Sequence, residues 1–201
     1  MSITAVLLAG GQSKRMGKDK AFLKYKGNTF LKTILKEIQD FVDEIILSIN
    51  KPEDLYRDEI TFLNKPVKFI KDIDKFGGPL NAVVSCANEI ETDSFFLLTC
   101  DTPLFKGKII PYFQSILEDY DCIIPVINGK YQPINTIYKK NTLEIAKDIY
   151  FNQRKNSLFA WIDKLNVKYV YEEEIKIIDK ALGSYFSVNT PEQYQKLLEK
   201  F

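Results

Sequence analysis

"ITAVLLAGGQSKRMGKDKAFL", residues 3–23, starts as an apolar run and changes character at two adjacent glycines. Ile3 to Ala9 lacks the polar alternation of a half-exposed strand, so it reads as a strand buried on both faces, the kind found inside parallel sheets. Beyond Gly10 and Gly11 the charge becomes one-sided: from Lys14 to Lys26 stand six basic side chains and one acid, Asp19. The whole chain has a formal net charge of only +1, so this positive charge is local. A buried strand that ends in glycines and a basic loop suits a ligand rich in phosphate. Glycine lets backbone N–H groups approach oxyanions, and Arg15 and Lys20 supply neutralising charge. Read alone, the loop equally suits a tight surface turn with solvated lysines.

The two familiar nucleotide loops do not fit. A P-loop requires G-x-x-x-x-G-K-[ST], whereas Gly11 and Gly17 stand one residue too far apart and Lys18 precedes Asp19. The dinucleotide fingerprint G-x-G-x-x-G fails because Gly11 follows Gly10 directly.

Outward from this stretch, apolar runs alternate with segments of helical period. "TFLKTILKEIQDF" places Phe30, Ile34, Leu35, Ile38 and Phe41 on one helical face. "EIILSIN", "VKFIKD", "SFFLLTCD" and "DCIIPV" read as further strands, with helices over "PLNAVVSCANEI" and around Ile109 to Leu117. Such alternation implies an α/β fold, a mostly parallel sheet flanked by helices. After Pro125 the order is less regular. "PINTIYKK" and "VKYVYEEE" are expected as strands, "TLEIAKDIYF" and "SLFAWIDKL" as helices. "TPEQYQKLLEKF" opens a last helix with Thr190 as cap, Pro191 at the first position and Gln193 completing a capping box. No linker or repeat divides the 201 residues, so one domain over 1–201 is expected.

Composition closes off several chemistries. The chain has no histidine, which excludes histidine general bases and His-dependent triads. Any metal must be held by oxygens, pointing to magnesium-type chemistry. Cys86, Cys100 and Cys122 stand far apart without a C-x-x-C pair, which fits a reducing compartment and argues against a disulfide scaffold. No positive charge precedes the short run Ile3 to Ala9, unlike a secretory signal, and no stretch approaches the roughly 20 apolar residues of a membrane span. A cytoplasmic protein without membrane or nucleic-acid partners is expected.

In open α/β sheets, ligands bind beyond the carboxyl ends of the strands. Those ends deliver Gly10 and Gly11, then Asn50, then Asp72 followed by "GGPL", then Asp101 in "CDTP". Either aspartate also suits a simple turn or cap. Cys100 is read as a small buried residue, and the aromatics of "SLFAWID" as core.

"LLAGGQSKRMGKDKAFL" resembles the signature L-A-G-G-x-[S]-x-R-M-G-x-D-K of the molybdenum cofactor guanylyltransferases, the MobA family of the Rossmann-like nucleotidyltransferase fold. The likeness continues through "KDIDKFGGPLNAV", "LLTCDTPLF" and "FSVNTPEQY", in order along nearly the whole chain. It implies that Leu8, Ala9, Gly10 and Gly11 hold GTP by backbone contacts, that Lys20 meets the phosphates with Arg15 in support, and that Asn50 and Asp72 recognise guanosine. It also implies that Asp101 binds Mg²⁺ and that Asn189 lies near the reacting phosphates. Gly10–Gly11 and Thr102 favour guanine over the A-A-G and D-Q-P patterns of cytidylyl-transferring relatives. Two departures stand out. Asn81 and Ala82 replace the family's A-G, and Ser187 replaces the first of two asparagines.

The implied activity is transfer of GMP from GTP to molybdopterin with release of pyrophosphate. The N-terminal half would bind the nucleotide and the C-terminal half the acceptor, with Arg154 in "NQRKNS" either a phosphate contact or a solvated surface arginine. Transient contact with cofactor-delivery or acceptor molybdoenzymes would follow. The rivals are a cytidylyltransferase for molybdopterin, a sugar-phosphate nucleotidyltransferase on the same fold, and a non-catalytic nucleotide sensor.

Overall fold

The computed structural model describes residues 2–11, 16–17, 19–74 and 77–200. The opening run forms strand β1 (Ile3–Leu8), followed by a small ribbon of β2 (Lys24–Tyr25) and β3 (Asn28–Thr29). The ribbon turns through Lys26 and Gly27 at φ 46° and 84°, the left-handed pair a two-residue hairpin needs. Helix α1 (Phe30–Ile38) starts where the Thr29 hydroxyl accepts the Lys32 N–H at 3.0 Å, and it buries Phe30, Leu31, Ile34, Leu35 and Ile38. Then come β4 (Glu44–Ile49), α2 (Asp54–Ile60), β5 (Val67–Lys71), α3 (Pro79–Cys86), β6 (Ser94–Thr99), α4 (Ile109–Ile116) and β7 (Cys122–Ile127).

The C-terminal half contains β8 (Lys130–Tyr131), β9 (Thr136–Lys139), α5 (Leu143–Lys147), α6 (Leu158–Ile162), β10 (Val167–Tyr171), α7 (Glu172–Ile175) and α8 (Pro191–Lys200). Several elements differ from expectation. Helix α2 has one buried side chain, Tyr56, and so little periodic signal. "EEE" after β10 is the first turn of α7, where the positive end of the helix dipole favours acids. The helix expected over "TLEIAKDIYF" is α for five residues and then widens into a π-helical turn over Asp148–Asn152.

The main sheet runs β10-β7-β9-β6-β1-β4-β5, with β8 beside β7. All its neighbours are parallel except β9, antiparallel to β6 and β7, and β8, antiparallel to β7. From β1 the chain moves outward through β4 to β5, then crosses back to pair β6 on the other side of β1. The strand order therefore reverses at β1, and the crevice beyond its carboxyl end is where open α/β sheets bind ligands.

Alternating side chains of the central strands feed a core on each face. Ala5, Leu7, Phe96 and Leu98 pack with α1 and α4 on one side. Val6, Phe95 and Leu97 pack with α3, α5 and α6 on the other. Trp161 is fully buried there, stacked on Tyr138 at 4.4 Å between ring centres, and its indole N–H donates to the Thr142 carbonyl at 3.0 Å. Of the two aromatics in "SLFAWID", Trp161 supplies core as expected, whereas Phe159 is exposed. A third, smaller cluster joins the β2–β3 ribbon to α8 through Leu23, Tyr25, Phe30, Val188 and Leu197. Among the described residues, no helix is long and apolar enough to cross a membrane.

Trp161 gives a direct test of the second core. Trp161→Ala empties a space lined by stacked rings and strands an acceptor, so it is expected to cost about 3–5 kcal/mol. Urea unfolding followed by circular dichroism measures this. A midpoint close to that of the wild type contradicts the packing.

Candidate active site

Register brings the site together. Leu8, the last residue of β1, pairs with Ser48 of β4 and with Thr99 of β6. The residues just beyond these three positions, Gly10, Asn50 and Asp101, therefore emerge at the same edge. Two adjoining cavities open there, of about 390 Å³ and about 190 Å³, and both are lined by Leu8, Gly11 and Thr99.

The larger cavity is lined by Gly10, Ser48, Asn50 and Asp72, with Gly78, Pro79 and Ala82 from the start of α3 and Ile134 opposite. Its polar wall is bonded internally. The Ser48 hydroxyl donates to Asp72 Oδ1 at 2.6 Å, and Asn50 Nδ2 donates to Asp72 Oδ2 at 2.6 Å and to the Gly10 carbonyl at 2.9 Å. Burial pushes the Asp72 carboxyl above its ordinary range, and the two donated hydrogen bonds oppose that rise. An ionised carboxylate retains further acceptor capacity for a ligand's N–H groups.

The smaller cavity is lined by Asp19, Lys20, Ala21, Cys100 and Asp101. Lys20 Nζ lies 3.3 Å from Asp101 Oδ2 and donates to Asn189 Oδ1 at 2.5 Å. Asn189 is far away in sequence but is delivered by α8. The Gln193 side chain accepts the Asn189 and Thr190 N–H groups at 2.7 and 3.1 Å, and the Thr190 hydroxyl accepts the Gln193 N–H at 3.3 Å, completing the expected capping box. The Val188 N–H donates to the Asp101 carbonyl at 2.7 Å, which fixes the two segments side by side. The Cys100 thiol is held well above its ordinary range by burial, so it is no nucleophile.

Of the residues singled out in the sequence, Leu8, Ala9, Gly10, Gly11, Lys20, Asn50, Asp72, Asp101 and Asn189 are brought to this edge. Arg15 lies outside the described residues. Sequence reasoning missed Asp19, whose Oδ1 accepts the Ala21 N–H at 3.0 Å and whose Oδ2 pairs with Lys51 Nζ at 2.7 Å. Asp19 thereby caps the turn that carries Lys20. Its signal was present, as the lone acid in a basic stretch. Ser48, a polar residue inside an apolar strand, was likewise legible but unread. Of the two departures in α3, Asn81 is fully buried and Ala82 places a methyl group at the larger cavity.

Asp101 also fits a cation. Its Oδ2 faces Lys20, but Oδ1 is buried and, among the described residues, has no hydrogen-bond partner. No group of three or more cysteine or acidic side chains gathers among the described residues. That sparse donor set suits magnesium, which is commonly held by one or two carboxylates, with water and substrate phosphates completing its shell.

Gly10 and Gly11 are expected to respond differently to a methyl group. A Cβ on Gly10 would lie 2.3 Å from Asn50 Nδ2, whereas one on Gly11 meets nothing within 4 Å. Gly10→Ala should displace Asn50 from Asp72 and cost about 1–3 kcal/mol, while Gly11→Ala should leave folding stability almost unchanged. Thermal unfolding of the two variants checks the contrast, and equal effects contradict it.

A family model described as a MobA-like NTP transferase domain matches residues 5–168. A Clostridium perfringens protein named "Probable molybdenum cofactor guanylyltransferase" is 34% identical over 98% of this chain and 96% of its own. A Bacillus cytotoxicus protein of the same name is 32% identical, over 98% and 96%. Among solved structures, molybdopterin-guanine dinucleotide biosynthesis protein A from Archaeoglobus fulgidus superposes with a TM-score of 0.80. Its identity is 20%, covering 98% of this chain and 97% of that one, and it shows the same fold. With the model match over most of its length, this chain belongs to the MobA-like NTP transferase family.

Proposed function

We propose that this protein transfers GMP from GTP to molybdopterin, forming the guanine dinucleotide cofactor and pyrophosphate. The observation that carries the reading is the pair of adjoining cavities. One offers a half-buried carboxylate with amide and hydroxyl neighbours, and the other a lysine between a carboxylate and an amide. This division matches a nucleotide, with a hydrogen-bonding base at one end and phosphates at the other. Family membership and the names of the relatives support the choice of reaction.

Asp72 and Asn50 form the base-recognition wall. Guanine presents N–H donors at N1 and N2, which an ionised Asp72 can accept. Lys20 lies where the phosphates enter and neutralises charge that moves onto the departing pyrophosphate. An oxygen of the acceptor's terminal phosphate attacks the α-phosphorus of GTP. The bond from that phosphorus to the oxygen bridging to the β-phosphate breaks, and the electron pair leaves with pyrophosphate. That attacking oxygen is already ionised, so no general base is required in a chain without histidine. Asn189 holds Lys20 toward this centre, and Asp101 Oδ1 would hold Mg²⁺. When bound, the metal supplies charge neutralisation and alignment of the phosphate oxygens. We assign the nucleotide to the N-terminal half and the acceptor to the C-terminal half. The reaction is placed in the cytoplasm, where three buried free thiols remain reduced.

The direct test is incubation with α-labelled GTP, Mg²⁺ and molybdopterin, with CTP in a parallel arm. A labelled guanine dinucleotide supports the reading. A cytosine product, or none, overturns it. Lys20→Ala should fold normally and lose about 10- to 150-fold in turnover, the worth of one charge-assisted phosphate contact. Asp101→Asn keeps the shape of the site but removes its charge, so the Mg²⁺ response in a metal titration should collapse. A wild-type metal response in Asp101→Asn removes that residue from the proposed mechanism.

Base recognition should also depend on pH in a particular way. Binding needs Asp72 ionised, and burial raises its pKa, so acidification should weaken binding before an exposed aspartate would titrate. Isothermal titration with guanosine, which has no phosphate to protonate, isolates this effect. An acid limb at or below the ordinary aspartate range contradicts the assignment of Asp72.

A further inference from the structure

Asn81 has an unusual environment. It lies in the first turn of α3, is fully buried, and its amide serves both backbone groups of one earlier residue. Asn81 Nδ2 donates to the Asp74 carbonyl at 2.7 Å, and Asn81 Oδ1 accepts the Asp74 N–H at 3.1 Å. The Tyr150 hydroxyl, from the π-helical turn of the C-terminal half, stands 3.0 Å from Asn81 Oδ1 and also hydrogen-bonds the Asp74 carboxylate. Gly77 is matched to this arrangement, since a Cβ there would lie 2.9 Å from Asn81 Cγ. Just beyond, Gly78 sits at φ 91°, which favours glycine, and begins the α3 side of the larger cavity.

The described residues of the connection from β5 to α3 make polar contacts. Ile73 is 54% exposed and Asp74 is exposed. The Ile73 N–H donates to Ser85 Oγ of α3 at 2.9 Å, and Asp74 is held by Asn81 and Tyr150. Asp72 and Gly78, on either side of this anchored point, both line the cavity.

We propose that the Asn81–Asp74–Tyr150 network is a positioning device that pre-sets the wall of the nucleotide pocket and ties it to the C-terminal half. The inference rests on the nucleotide reading of that cavity. A segment held before the ligand arrives loses less conformational freedom on binding, so the device strengthens nucleotide binding rather than speeding the chemical step. Asn81 and Tyr150 touch neither substrate nor metal in this scheme and act through the wall.

The test uses Tyr150→Phe, which removes only a hydroxyl, and Asn81→Ala, which removes the side-chain amide. For both, the Kd and KM for GTP should rise about three- to tenfold, the range of a lost hydrogen bond, with kcat within about twofold of wild type. Exchange of the Asp74 amide hydrogen, followed by mass spectrometry without nucleotide, should accelerate in both. Unchanged KM and unchanged exchange in Tyr150→Phe overturn the proposal even if Asn81→Ala folds poorly. A lowered melting temperature with wild-type KM overturns it as well, by reducing the network to a structural role. If the wild type binds CTP and not GTP, the guanine reading falls, and the same comparison with CTP then decides the positioning device.

Discussion

Strand β1 lies between β4 and β6, and the pairing of Leu8 with Ser48 on one side and Thr99 on the other constrains everything at the site. Because β1 is buried on both faces, its register cannot slip by one residue without sending Ala5 and Leu7 to the face now filled by Val6. The hydrophobic core therefore holds the chemistry in place. Gly10, Asn50, Asp72 and Asp101 emerge together because four parallel strands end at one edge, and the reversal of strand order at β1 leaves a crevice between them.

Charge in this crevice is arranged more tightly than stability alone would explain. Lys20 is held against Asp101 and Asn189, and its turn is capped by Asp19, itself paired with Lys51. Partly buried ion pairs give uncertain net stabilisation, because desolvation offsets attraction. They do fix geometry. Under the proposed reaction, a phosphate entering this cluster would meet a lysine whose position has already been set, which would lower the reorganisation needed during transfer.

The C-terminal half contributes through packing. Helix α8 lies against the β2–β3 ribbon, with Tyr194 donating to the Lys24 carbonyl at 2.7 Å and its ring set edge-on to Phe30. This small cluster carries Asn189 to Lys20. At the other cavity, the π-helical turn brings Tyr150 to the β5–α3 connection. Two separate segments from the second half thus reach back to brace the two ends of the crevice.

Much of this was legible in local sequence. Runs such as "ITAVLLA" and "SFFLLTC", short and bounded by turn residues, read as buried strands, and their carboxyl ends point to Gly10 and Asp101. Thr190, Pro191 and Gln193 announce the start of α8 because capping is a matter of a few adjacent residues. The two hairpin turns, at Lys26–Gly27 and Asn128–Gly129, also carried a local signal but were overshadowed by their short strands. Helix α2 was hidden because only Tyr56 faces inward. What the chain could not reveal by itself are relations between distant residues. These include the bonds of Lys20 to Asn189 and of Tyr150 to Asp74, the clash that keeps Gly10 free of a side chain, and the buried oxygen of Asp101 that has no partner among the described residues. The apolar pattern and turn chemistry of single segments determined the strands and the edge they share. The partners across that edge were decided only by tertiary structure, because hydrogen bonds and ion pairs depend on distances in space that no local pattern encodes.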